Sequence, residues 1–153
     1  MSAHNPGLAV RPFDPADLEE IVANALGQRE LAWHDRRRLA RQWGDAPVRG
    51  FSVSDQASGR LLFCGGLSEA HAQYARLWAV YAEGITWRQW AFLLDRTRDF
   101  IDGLPHRRID TLVERRAPMA LRWANACGLD EEGVLRMAAP DGGDMVIMAR
   151  LER

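Results

Sequence analysis

The stretch RRIDTLVERRAPMALRWANACGL, Arg107 to Leu129, decides the fold class, because it reads as a strand, a helix and a helix stop in one phrase. Ile109, Leu112 and Val113 supply a short apolar strand. Pro118 suits the first turn of a helix, where its missing N–H loses nothing. Met119, Ala120, Trp123, Ala124 and Cys127 then recur at helical spacing on one face, while Arg122 and Asn125 point away. Gly128 is placed to end the helix in a left-handed turn, and Leu129 to close that cap with an apolar contact.

Working outward, Thr86-Trp87-Arg88-Gln89 has the form of a capping box, with Thr86 as N-cap and Gln89 reaching back. Trp87, Trp90, Ala91, Leu94 and Ile101 follow on one helical face until Gly103 and Pro105 stop it. Before that helix, Ala75 to Tyr81 is a strand apolar on both faces, as in the middle of a covered sheet. Phe51 to Val53 and Arg60 to Leu67 flank Asp55-Gln56-Ala57-Ser58-Gly59, a hairpin signal with Gly in the turn. Gly65-Gly66 marks a bulge or a close backbone approach. At the start, Leu8 to Val10 opens as a strand. Asp14-Pro15-Ala16-Asp17 starts a helix whose buried stripe is Leu18, Ile21, Val22 and Leu26, broken by Gly27. A second helix, Glu30 to Trp43, presents its arginines outward and ends at Gly44-Asp45-Ala46-Pro47. Beyond the opening phrase, Gly133 to Ala138 and Asp144 to Leu151 form a terminal hairpin around Pro140-Asp141-Gly142-Gly143.

The order β α α β β β α β α β β, without repeats or linkers, is that of one α/β (mixed α+β) domain over residues 1–153. Hairpins supply antiparallel pairs and the strand–helix–strand units supply right-handed crossovers. The expectation is a central mixed, mostly antiparallel sheet of about six to seven strands with helices on both faces.

Composition narrows the chemistry. A hydrophobic content of 47% over 153 residues is enough for one real core. A net charge of −1 gives no electrostatic footprint for nucleic acid, and the most basic run, Asp35-Arg36-Arg37-Arg38, is one turn of a solvated helix face. All 20 basic residues are Arg, which excludes a Schiff-base lysine and a P-loop lysine. Cys64 and Cys127 lie in apolar sequence without CxxC spacing and read as reduced core thiols. His4, His34, His71 and His106 are scattered, so no metal site is expected. No apolar run approaches the roughly 20 residues of a membrane span, and MSAHNPG has no signal pattern, so the cytoplasm is the expected compartment.

The element order together with RRAPMALRWANACGLDEEG, Arg115 to Gly133, resembles the GNAT superfamily of acyl-CoA-dependent N-acyltransferases. In that family the last helix commonly carries an Asn-x-x-Ala start and a Gly-Phe end. Ala120 matches the Ala and Gly128 the Gly, while Ala117 stands at the Asn position, Leu129 at the Phe, and Ala124 where a tyrosine general acid often sits. LWAVYAEGITWRQWAFLLDRTRDFIDGLP and the ending Asp141-Gly142-Gly143-Asp144 look like small, divergent phage-encoded members, including ones associated with virion assembly in short-tailed phages. That likeness implies a location in the cytoplasm of the bacterial host, or in the virion.

The resemblance implies a three-layer fold with acetyl-CoA as co-substrate, bound where the fourth strand joins the third helix through Gln/Arg-x-x-Gly-x-Gly/Ala. The corresponding run here is Tyr81-Ala82-Glu83-Gly84-Ile85-Thr86, of which Gly84 matches. A loop without bulky side chains lets N–H groups at a helix N-terminus face the pyrophosphate. The implied cofactor residues are Val80, Tyr81, Gly84, Ile85, Thr86 and Trp87. An N–H of Val80 or its neighbours would steady the thioester oxyanion. Glu83 and Glu69, with His71 third, are the base candidates, and Tyr81 is the acid candidate. Arg115 and Arg116 could hold an anionic acceptor or a phosphate. The implied reaction is acetyl transfer to an amine by direct attack. The alternative is a GNAT-fold phage protein without turnover, serving structure, assembly or host interaction. The expected partners are acyl-CoA and an amine acceptor. A homodimer is the oligomer that exposed tryptophans or the edge of the terminal hairpin would favour.

Overall fold

The computed structural model describes residues 5–24, 26–28 and 49–152. The elements run β1 (Leu8–Pro12), α1 (Asp17–Glu20), β2 (Gly50–Asp55), β3 (Leu61–His71), β4 (Tyr74–Tyr81), α2 (Trp87–Asp102), β5 (Arg108–Glu114), α3 (Pro118–Ala126), β6 (Asp130–Leu135) and β7 (Met145–Leu151). The helix expected over Glu30 to Trp43, with its arginine run, lies outside the described residues. The strands form a seven-stranded sheet in the order β1-β2-β3-β4-β5-β7-β6, flanked by helices. β4 and β5 pair in parallel, Tyr74–Arg76 against Arg108–Asp110. The pairs β1–β2, β2–β3, β5–β7 and β6–β7 are antiparallel, so the mixed, mostly antiparallel sheet expected from the element order is observed. No helix among the described residues is long and apolar enough to cross a membrane.

The described chain falls into two compact units. The first joins the residues up to Leu67 with Trp78–Leu93; the second joins Ser68–Leu77 with the residues from Leu94 onward. In the first, Phe13, Leu18, Ile21, Leu61, Cys64 and Val80 form a core against which Trp78 and Ile85 pack. Each fully buried aliphatic side chain there contributes about 1.5–3 kcal/mol. Asp17 is buried beside this core. Its carboxylate accepts from both guanidinium nitrogens of Arg11 (2.8 and 2.6 Å), from Ser52 Oγ (2.6 Å) and from Asp14 N–H (3.0 Å). Burial pushes its pKa up, but those donors outweigh burial and hold it below the usual range. The Gly65-Gly66 pair proves to be a close backbone approach: a Cβ on Gly66 would meet Arg49 O and Gly50 Cα.

α1 is shorter than its apolar stripe implies. It stops at Glu20, Ile21 turns extended (φ −65°, ψ 127°), and Val22 is exposed. The cause is Asn24, whose Oδ1 accepts Gly27 N–H (2.9 Å) while its carbonyl accepts Gln28 N–H (2.8 Å). An Asn used as a cap starts a new turn instead of continuing the old one.

In the second unit β5 lies against β7 along seven residue pairs, Arg108↔Leu151 to Glu114↔Met145. The terminal hairpin is present, but β7 is inserted between β5 and β6. Composition explains which strand goes inside: MVIMARL can bury both faces, whereas DEEGVL is exposed apart from half-buried Gly133. α3 ends as expected, with Gly128 at φ 95°, its N–H on Asn125 O, and Leu129 N–H on Ala124 O. Three positions differ from the expected stripes: Met119 is 71% exposed, not on the inward face of α3, and Trp87, 74% exposed, and Ala91, also exposed, are not in the buried stripe of α2. The buried positions of α2 are Phe92, Leu93 and Ile101, so its packed face begins one turn later.

Candidate functional site

The first unit contains the β4–α2 turn, which gathers the residues singled out as cofactor-binding. Val80 is buried in the core, and Ile85 packs against the same cluster, anchoring the turn at both ends. Between them Gly84 adopts φ 66°, a left-handed conformation that L side chains resist. Thr86 and Gln89 form the expected capping box: Thr86 N–H donates to Gln89 Oε1 (2.9 Å), and Gln89 N–H to Thr86 Oγ1 (3.3 Å). The Thr86 hydroxyl is thereby engaged as an acceptor. The N–H groups of Trp87 and Arg88, in the first turn, have no intrahelical acceptor by geometry and point out of the helix end. The Arg88 guanidinium lies over the exposed Trp87 ring at 5.2 Å. Arg60, from the β2–β3 hairpin, donates from Nη2 to Glu83 O (2.8 Å), and both its terminal nitrogens lie 3.9 Å from where a Cβ on Gly84 would sit. A cation therefore stands beside the turn.

Strand alternation sorts the β4 amides. Ala82 N–H donates to Leu62 O of β3 (2.8 Å), whereas Tyr81 O accepts from Asn24 N–H (2.8 Å) on the opposite edge. Glu83 N–H continues that second edge by donating to Val22 O (3.2 Å). Even-numbered amides face β3 and odd-numbered ones face away. The N–H of Val80 thus points to β3, and the neighbours that present N–H groups on the other edge are Ala79 and Tyr81. The Tyr81 ring packs between Phe63 and Trp90, each at 5.1 Å between centroids. The Glu83 side chain is exposed.

In the second unit Glu69 Oε2 lies 3.4 Å from Nε2 of His106, a buried residue, and His71 stacks edge-on against Tyr74. Asp110 is fully buried and bound by Tyr74 Oη (2.8 Å), Arg76 Nε (2.9 Å) and Arg108 Nη2 (2.9 Å). Burial raises its pKa, but these three donors prevail and hold it below the ordinary range. Thr111 Oγ1 donates to Leu77 O (3.1 Å), just past the last β4–β5 ladder pair. Arg115 pairs with Asp144 (3.5 Å) and Arg116 with Asp141, so both arginines tie the β6–β7 loop to the start of α3.

The chain superimposes on a dodecameric spermidine N-acetyltransferase from Vibrio cholerae with a TM-score of 0.67, at 21% identity, covering 96% of this chain and 95% of that one. It superimposes on Ard1 from Thermoplasma volcanium with a TM-score of 0.75, at 16% identity, covering 95% and 97%. The fold is that of the GNAT acetyltransferases. No family model matches the chain, and no curated protein does.

Two features of the β4–α2 turn are not announced by its local sequence. Arg60 is remote in sequence from the loop it flanks, and nothing in its immediate neighbourhood announces that reach. Asn24 signals a cap, and only the fold shows that the cap places Val22 and Asn24 against the edge of β4. Ala124, on the inward face of α3, is buried.

Proposed function

We propose that the protein is an acyl-CoA-dependent N-acyltransferase that binds acetyl-CoA at the β4–α2 turn and passes the acetyl group to an amine by direct attack. The observation that carries this reading is the construction of the turn: left-handed Gly84, outward first-turn amides at Trp87 and Arg88, and the Arg60 guanidinium beside them. Anionic phosphates fit such a turn, because helix N-terminal amides and an adjacent guanidinium both favour negative charge. The N–H group of Ala79, on the edge of β4 that faces away from β3, is the proposed donor to the thioester oxygen. In the reaction an amine nitrogen attacks the thioester carbon, the C–S bond breaks, and the thiolate leaves as CoA after taking a proton. Glu83, exposed on the turn, is the proposed acceptor of the amine proton, directly or through water, and Tyr81 is the proposed proton donor to sulfur.

The acceptor is proposed only as an amine; spermidine belongs to the Vibrio cholerae neighbour. A second reading, a GNAT-fold protein that binds acyl-CoA without turning it over, is favoured by the buried methyl of Ala124 at the usual acid position. Release of free thiol from acetyl-CoA, followed across a panel of polyamines, amino-sugars and peptide N-termini, separates the two. Amine-dependent thiol release lost in Gly84→Glu supports the enzyme. Binding without release for any amine would replace it by the second reading.

A further inference from the structure

We infer that the exposed indole of Trp87 is the surface on which the adenine of the acyl donor stacks, so that the protein draws on CoA thioesters and not on phosphopantetheine carried by a protein. The inference rests on acyl-CoA binding at the β4–α2 turn and names the part of the donor that the turn selects. Trp87 opens α2, yet it is 74% exposed, and the packed positions of that helix begin later, at Phe92 and Leu93. Capping does not account for the ring either, because Thr86 and Gln89 complete the cap between themselves. An indole left in water forgoes the burial that a large aromatic side chain ordinarily gains, so the ring is unexplained by the fold alone.

The ring is also held in a set orientation. The Arg88 guanidinium lies over one of its faces, 5.2 Å from the centroid, and at this exposure the other face is left to a flat partner. The surroundings choose the charge of that partner. Arg60 reaches Glu83 O from the β2–β3 hairpin (2.8 Å), and among the described residues neither Arg60 nor Arg88 is ion-paired. A flat base that carries phosphates fits the place, because the ring takes the base and the guanidiniums favour the phosphates. Trp87 also supplies one of the first-turn N–H groups proposed to face the phosphates. A base joined to that phosphate through its ribose therefore lies within reach of the indole of the same residue. Phosphopantetheine on a carrier protein brings no base and would leave the ring bare.

Calorimetric titration of the full chain with acetyl-CoA and with acetyl-phosphopantetheine tests the inference. Wild type should bind acetyl-CoA the more tightly. Trp87→Ala should raise the dissociation constant for acetyl-CoA about tenfold or more, the size of one base–aromatic stack, and leave that for acetyl-phosphopantetheine unchanged. Trp87→Phe, which keeps a ring, should lose less. Adenosine 3′,5′-bisphosphate, the nucleotide half of CoA, should quench the tryptophan emission of wild type and not that of Trp87→Phe. Trp87 is exposed, so both variants should fold, and circular dichroism checks that they do. Acetyl-CoA binding unmoved in Trp87→Ala, both ligands weakened alike, or the same quenching in Trp87→Phe would overturn the inference while acyl-CoA binding at the turn stands. Acetyl-CoA bound no more tightly than the bisphosphate alone would overturn it in favour of a free nucleotide. Neither thioester bound by wild type at millimolar concentration would overturn the inference and the acyl-CoA reading together.

Discussion

Replacing Gly84 by alanine isolates the backbone conformation of the β4–α2 turn from every other property of the residue. At φ 66° a Cβ would meet only the Arg60 guanidinium nitrogens at 3.9 Å, ordinary van der Waals contact, so no clash contributes. What remains is the left-handed penalty of an L residue, about 1–2 kcal/mol, partly offset by the lower entropy of the unfolded alanine chain, about 0.4–1 kcal/mol. The net destabilisation is about 1 kcal/mol, which for a chain of this size lowers Tm by about 2–4 °C. Asparagine tolerates the left-handed region better than alanine, so Gly84→Asn should lose less than Gly84→Ala. Gly133→Ala is the control. That glycine has no positive φ and open space around its Cβ position, so its substitution should be neutral or stabilising. Thermal denaturation of the four proteins by circular dichroism gives the comparison. Gly84→Ala as stable as Gly133→Ala, or Gly84→Asn less stable than Gly84→Ala, would refute the backbone argument.

Other outcomes follow from the same geometry. Thr86→Ala removes one half of the capping box and should cost about 1 kcal/mol in urea denaturation. Asp17→Asn should cost about 2–4 kcal/mol, because Ser52 Oγ and the Asp14 N–H lose a charged acceptor; half-exposed Arg11 keeps the value from going higher. Both Asp17 and Asp110 titrate below the ordinary value of 3.8, so the unfolded chain takes up their protons first as pH falls. Their stabilisation is therefore complete above about pH 5 and drains away as pH drops through the lower folded values, and a wild type whose urea midpoint stays level from pH 5 to about pH 2 would contradict it. Burial pushes the Cys127 thiol up to about 11, so its thiolate fraction at pH 8 is about one in a thousand. Neither free cysteine should react with a thiol reagent until the protein unfolds; rapid native labelling of Cys127 would contradict its burial.

Features set by neighbours along the chain were legible in the sequence. Gly128 with Leu129, Thr86 with Gln89, and the hairpin turn at Asp55 to Gly59 need only a few adjacent residues to declare themselves, and all three are present. Features set by distant partners were not. The sequence offers two strands in the terminal hairpin without saying which one joins β5, and the choice turns on MVIMARL burying both faces. The stripe Leu18-Ile21-Val22 looks helical until Asn24 takes a carbonyl of β4 as its partner. Trp87 fits the spacing of the α2 stripe, yet the helix begins before its packed face does. The run Tyr81 to Trp87 was identifiable as a turn, with Gly84 left-handed in it and Thr86 capping the helix that follows. Arg60 was not, because its role comes from the hairpin geometry that brings it to Glu83 O.

The central claim, that acyl-CoA is held at the β4–α2 turn, is tested most directly by amide hydrogen exchange with and without acetyl-CoA. The account predicts slowed exchange confined to peptides spanning Ala79 to Trp90, with Arg60→Glu and Gly84→Glu abolishing the effect while leaving the rest of the exchange pattern unchanged. At a ligand concentration about 100 times its dissociation constant the protein should also gain about 2.7 kcal/mol of stability. Protection placed elsewhere, or none with acetyl-CoA at millimolar concentration, would contradict the account.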